Sequence, residues 1–186
     1  MELYLIRHTT PQVDKDICYG QTDLDLAPTF DAEASNIHQK FEQPLDYIFS
    51  SPLKRCSKLA KSFNVKVQEE SRLMELSFGD WEMKKWKDIS QPAVNQWMEN
   101  YITQGPSNGE SYEQLKTRVV EIFKGIISQN RKSTGIVTHA GPIRAILSYV
   151  LNLPLKDTFT LRVDYGSITK ISLNESIFSV DYINKV

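Results

Sequence analysis

At 186 residues, with 40% hydrophobic and 24% charged side chains, the chain has the make-up of one globular domain with a sizeable core. Its 22 basic and 23 acidic residues leave a net charge of −1, which argues against a nucleic-acid binder relying on counterion release; any anion site must be local. No apolar run approaches the ~20 residues of a membrane span. The opening MELYLIRH lacks the basic region and the length of a signal peptide. Cys18 and Cys56 show neither CxxC nor metal-ligand spacing, so reduced thiols, a cytoplasmic location and no metal are expected.

Residues 2–7 read as a first strand, followed by a turn-rich loop through Pro11, Gly20 and Asp25 and a weakly patterned helix over 28–42. YIFSS (47–51) reads as a buried strand, and Pro52 takes a first-turn position of a helix running to about Phe63. VKVQ (65–68) is a short strand, and LMELSFGDWE (73–82) leads into an aromatic-rich loop. Residues 84–104 form an irregular helical insertion with Trp86, Trp97 and Tyr101; aromatics at such spacing more often pack than cover a pocket as a lid. After the loop 105–111, apolar residues at 115, 119, 122, 123 and 126 have helical spacing. Ser111 and Gln114 are placed for a capping box. Strand GIVTH, helix PIRAILSYVL, and two alternating segments, TLRVDYGSITKISL and IFSVDYI, complete the chain. Strands alternating with helices predict a single α/β domain over 1–186, its central sheet mostly parallel and flanked by helices.

Two of only three histidines end β-type runs: LYLIRHT at 3–9 and GIVTHAGPIRAIL at 135–147. Residues at the carboxyl ends of strands line the ligand crevice of an open α/β sheet, so His8 and His139 are expected to face one pocket. Arg7 is suited to hold an anion through two parallel hydrogen bonds, and His8 to attack or to shuttle protons. In SSPLKRCSKLA (50–60), Lys54, Arg55 and Lys58 fall at the start of a helix, where anions are favoured, though some of them must simply face solvent. Glu75, among Met74, Leu76 and Phe78, is either a partly desolvated acid with a raised pKa or a surface carboxylate between aromatic anchors. Asp80 and Glu82 compete with it for the role of proton donor. His38, in a polar helix, is expected to face solvent, and Arg144 to serve a structural pairing.

Arg7-His8-Thr9, SSPLKRCSKLA, LMELSFGDWE and THAG occur in the order found in the histidine phosphatase superfamily, whose phosphoglycerate-mutase-like fold this chain resembles over nearly its whole length. The resemblance implies His8 as the nucleophile that becomes phosphohistidine, Arg7, Arg55 and His139 as the phosphate pocket, and Glu75 as proton donor, with no cofactor. It departs from the family pattern at Thr9, where glycine is usual, at Thr10-Pro11 in place of Glu-Thr, at Asp14 in place of asparagine, and at Ala140. The short chain resembles the phosphatases more than the longer mutases. ICYGQTDLDL (17–26) is similar to the α-ribazole phosphatases, which implies α-ribazole 5′-phosphate as substrate, with Thr9, Tyr19, Gln21 and Thr22 near the entrance. The partner so implied is a small phosphorylated metabolite. The chain is expected to be a monomer or homodimer, and to bind neither nucleic acid nor membrane.

Overall fold

In the first strand, β1 (Glu2–Arg7), Leu3 and Leu5 point to one side, Ile6 to the other, and all three are fully buried. A strand apolar on both faces belongs in the middle of a covered sheet. In the computed structural model, which describes residues 1–186, it pairs in parallel with β4 (Ser133–Thr138) and antiparallel with β5 (Ile168–Asn174). With β2 (Tyr47–Ser50), β3 (Val67–Glu69) and β6 (Ile177–Lys185) the sheet runs β3-β2-β4-β1-β5-β6. The first four positions are parallel and the β5–β6 hairpin is antiparallel. The expected α/β architecture is present, its parallel sheet extended by that edge hairpin.

Helices α4 (Tyr112–Ile127) and α5 (Ala140–Val150) cover one face, packing Leu115, Val119, Phe123, Ile143 and Leu147 against Leu3, Leu5, Phe49 and Ile136. Helices α1 (Phe30–His38) and α2 (Lys54–Lys61) cover the other, with Ile37, Cys56 and Leu59 against Ile6, Ile48 and Val137. The capping box of α4 is formed: Ser111 Oγ accepts from the Gln114 N–H, and the Gln114 side chain accepts from Ser111 N–H.

Several boundaries differ from the sequence reading. Helix α1 is shorter than 28–42, and β3 occupies 67–69. Helix α2 starts at Lys54, two residues past Pro52, because Asp23 reaches across from the entrance loop and accepts the Lys54 N–H at 2.7 Å. Residues 160–167 are not strand. A 3-10 turn covers Leu155–Thr160, and Gly166, at φ +68°, bends the chain before β5 begins. The 84–104 segment contains one 3-10 turn (Trp86–Asp88) and the helix α3 (Gln91–Asn100). It is stitched to the entrance loop by Trp86 N–H to Asp16 O at 2.9 Å and Cys18 N–H to Lys84 O at 2.9 Å. His38 is half-buried, not solvent-facing: its Nε2 lies 3.0 Å from Ser62 Oγ, and its ring packs edge-on against Phe63.

Candidate active site

Because β2, β4 and β1 are parallel neighbours, their carboxyl ends bring Ser51, His139 and His8 together. Backbone bonds continue the ladder past the strand ends: His8 N–H to Thr138 O and Ser51 N–H to Val137 O, each 3.0 Å. The two imidazoles meet edge to face with centroids 4.9 Å apart, and His8 is 2% exposed. His8 Nδ1 lies 2.6 Å from the carbonyl oxygen of Thr9. A carbonyl only accepts, so Nδ1 carries the proton and Nε2 presents its lone pair. Burial, reinforced by the charges of Arg55 and Arg7, pushes the His8 pKa well below the ordinary 6.5. His139 is also neutral, held low by burial first and then by His8, Arg55 and Arg7. Its Nδ1 accepts from Arg55 Nε at 3.3 Å, which leaves the Nε2 proton for Ser51 Oγ at 2.9 Å.

Arg55, in the first turn of α2, is fully buried. It donates to the carbonyls of Gly20 at 2.5 Å and Thr22 at 2.8 Å. Arg7 donates to Val163 O at 2.6 Å and lies 3.8 Å from the centroid of the Tyr165 ring; its Nε is buried without a partner. Neither guanidinium takes part in any ion pair of the molecule. A fully buried cation without a carboxylate, as Arg55 is, is costly, and a bound anion would offset that cost.

Of the three competing carboxylates, only Glu75 enters the cavity that holds both histidines and both arginines. It is set there by the first turn of α5: Gly141 N–H reaches both carboxylate oxygens at 3.2 Å, and Leu76 N–H donates at 2.9 Å. Glu82 is consumed elsewhere, accepting from the backbone N–H groups of Gly20, Gln21, Thr22 and Phe78 and from the Thr22 hydroxyl at 2.6 Å. Burial alone would raise its pKa, but these donors hold the carboxyl below the usual range. Asp80 is exposed and pairs with the Asn108 amide. Glu110 faces away from the cavity in an ion pair with Arg118 at 2.7 Å, and Arg118 in turn holds the Glu75 carbonyl at 2.9 Å. No group of three His, Cys, Asp or Glu side chains is arranged to hold a metal ion.

Comparison with known proteins agrees with this geometry. The profile described as "Histidine phosphatase superfamily (branch 1)" matches residues 3–186. The chain belongs to the histidine phosphatase superfamily. Adenosylcobalamin/α-ribazole phosphatase of Escherichia coli is 26% identical over 99% of this chain and 96% of its own length. Phosphoserine phosphatase 1 of Hydrogenobacter thermophilus is 26% identical over 94% of this chain and 88% of its own. The crystal structure of α-ribazole phosphatase from Shigella flexneri superposes with a TM-score of 0.92 at 25% identity, covering 100% of this chain and 96% of that one.

The cavity of this histidine phosphatase is about 340 Å³. Away from the histidines its wall is aromatic, with Phe78, Trp86, Trp97, Tyr101, Tyr112 and Phe159. The 84–104 insertion therefore both packs onto the preceding turn, with Trp81 buried beneath Trp86 and Trp97, and furnishes a cavity wall. Among the four expected entrance residues, only Tyr19 lines the cavity. Thr9 is fully buried beneath it, the Gln21 amide is spent on the Glu75 carbonyl at 3.0 Å, and the Thr22 hydroxyl is spent on Glu82. The Gln21 and Thr22 side chains are held by hydrogen bonds that shape the loop, and Thr9 Oγ1 is buried without a partner, so none of the three lines the cavity in this structure. Sequence reasoning missed Ser51 and Tyr165; Arg144, read as a structural pairing residue, donates to Leu161 O at 3.1 Å and also lines the cavity. Arg144 follows Gly141 by one helical turn, a spacing that carried the signal. Tyr165 had none, because it sits in a loop read as strand. No helix is long and apolar enough to cross a membrane.

Proposed function

We propose that the protein is a metal-independent phosphomonoesterase working through phosphohistidine at His8. The observation that carries this reading is two guanidiniums without a carboxylate partner, Arg55 fully buried and Arg7 half-buried, placed around a neutral imidazole with a free Nε2. In the first step Nε2 attacks phosphorus, the P–O ester bond breaks, and Glu75 protonates the leaving alkoxide. In the second, Glu75 takes a proton from water, the water oxygen attacks phosphorus, and the P–N bond breaks to release phosphate. Charge spreads over the equatorial oxygens during both transfers, and the two guanidiniums are suited to stabilise it; His139 would join them by turning its Nε2 proton from Ser51 to a phosphoryl oxygen.

The substrate of this reading is α-ribazole 5′-phosphate, hydrolysed to α-ribazole late in cobalamin nucleotide-loop assembly. The aromatic wall supports it, since Trp86, Trp97, Tyr101 and Phe159 line the cavity, and a planar heteroaromatic base packs favourably among aromatic rings. Relatives named α-ribazole phosphatase support it as well.

The test is phosphate release by purified protein in EDTA, with α-ribazole 5′-phosphate against a panel of phosphomonoesters that includes phosphoserine. A preference for the ribazole ester, lost in His8→Ala, is the expected result. His8-dependent activity spread evenly over the panel would keep the phosphatase and discard the pathway. Phosphate passed back to substrate would make it a mutase. Activity on no ester would leave a protein that only binds phosphorylated ligands.

A further inference from the structure

We infer that Tyr165, tied through its hydroxyl to Tyr19, is a positioning residue that sets the two arginines of the phosphate pocket; the inference rests on the reading of that pocket given above. The two hydroxyls, 146 residues apart in sequence, lie 2.6 Å apart at the pocket rim. The Tyr165 ring stacks on Arg7 with its centroid 3.8 Å from Cζ, and lies 5.4 Å from the His8 ring. The Tyr19 ring lies 5.6 Å from Arg55 Cζ.

The two arginines need this support unequally. Arg55 is gripped by three hydrogen bonds, two of them to the carbonyls of Gly20 and Thr22, which follow Tyr19 in the same loop. Arg7 has one hydrogen bond, from Nη1 to Val163 O. A guanidinium held at one nitrogen keeps freedom to swing about that contact. Stacking on an aromatic face fixes its plane while leaving the N–H edges for a planar, two-point contact with phosphate oxygens. The Nε of Arg7 is buried without a hydrogen-bond partner in the protein, so the ring, not a second hydrogen bond, orients the group.

Each tyrosine is referenced to a different part of the site. Tyr165 is anchored to the end of β1, since Gly166 N–H donates to His8 O at 3.1 Å and Arg7 N–H to Ser167 O at 3.0 Å. Its other neighbour, Asp164, is held by Asn184. Tyr19 belongs to the loop that Glu82 organises. The hydroxyl–hydroxyl bond thus joins the support of Arg7 to the support of Arg55, and the phosphate site is set as one unit.

The experiment is calorimetric titration of inorganic phosphate into the full-length protein and into Tyr19→Phe, Tyr165→Phe, the double Phe variant and Tyr165→Leu. Each single Phe variant removes one hydroxyl and keeps its ring, and is expected to weaken phosphate by about threefold. The double variant is expected to be no weaker than either single one, because both remove the same bond. Tyr165→Leu, which also removes the stacked face, is expected to weaken phosphate by about tenfold, and Tyr165→Trp to recover part of that loss. Single effects that multiply in the double variant, or parental affinity in Tyr165→Leu, would overturn the inference. If Tyr165→Leu does not fold, the three Phe variants decide alone. Phosphate binding is read rather than turnover, so a failure to hydrolyse any ester leaves this test standing. A parent protein with no affinity for phosphate would instead overturn the pocket assignment and this inference with it.

Discussion

The backbone N–H of Gly141 sits 3.2 Å from each carboxylate oxygen of Glu75, so the first turn of α5 holds the proposed proton donor by its head. That arrangement requires a residue without a side chain. A Cβ at position 141 would lie 2.2 Å from Glu75 Oε1. Gly141→Ala is expected to displace the carboxylate and lower kcat by about 100-fold, a magnitude typical of losing acid–base catalysis. KM and phosphate affinity should change little, because both arginines stay in place. Steady-state kinetics beside phosphate titration checks this, and a variant turning over at the parental rate would remove Glu75 from the mechanism.

The two buried histidines set the response to acid. Both titrate well below the ordinary 6.5 in the folded protein. Above that value the folded and unfolded chains are alike, with neutral imidazoles. Below it the unfolded chain takes up protons that the folded one refuses, so stability falls as pH drops from 6.5 toward the depressed folded values. Tm should therefore decline between about pH 7 and about pH 5, and His8→Ala should flatten part of that decline. A neutral His8 also means that kcat/KM carries no acid limb centred on 6.5. An activity profile losing half its value there would contradict the assigned protonation state.

Glu82 holds the loop whose carbonyls grip Arg55. Glu82→Gln puts an amide NH₂ against several N–H donors, leaving part of the set unsatisfied, and is expected to destabilise the fold by about 2 kcal/mol. KM should rise as well, because the Gly20 and Thr22 carbonyls shift under Arg55. Denaturant unfolding and steady-state kinetics check the two effects together. Loss of stability at unchanged KM would separate the loop from the phosphate pocket.

Trp97 is the hub of the aromatic wall, with its ring centroid 5.7 Å from Phe78, 5.7 Å from Trp81 and 6.0 Å from Tyr101. Trp97→Ala should lower kcat/KM for α-ribazole 5′-phosphate about tenfold more than for a small aliphatic phosphomonoester, the value of one stacked base. The ratio of the two esters cancels any general loss of folded protein. Equal losses on both would leave the wall a packing feature only.

Local pattern made much of this molecule legible. Short apolar runs in ELYLIR and STGIVT, and the helical spacing from Leu115 to Ile126, identified the elements that carry the core. The histidines at two strand ends pointed to one crevice because strand direction is a local property, and parallel neighbours must end on the same side of a sheet. Local pattern failed where distant chain determines conformation. Residues 160–167 alternate as a strand would, yet they turn, since Gly166 breaks the run and Asn184 and His8 supply hydrogen bonds from elsewhere.

What the sequence by itself determined is the α/β order, the capped helix α4 and the placing of two histidines at strand ends, all written in spacing and chemistry within a few residues. What only the tertiary structure decided is which partners each group meets. Glu75 and Glu82 are the same side chain seven residues apart; one meets the amide of Gly141 beside the histidines, the other the amides of Gly20, Gln21 and Thr22. The same holds for Tyr19 and Tyr165, which lie far apart in sequence and share one hydrogen bond. A carboxylate's role and a tyrosine's partner are set by which donors the fold delivers to it, and those donors come from chain that is close only in space.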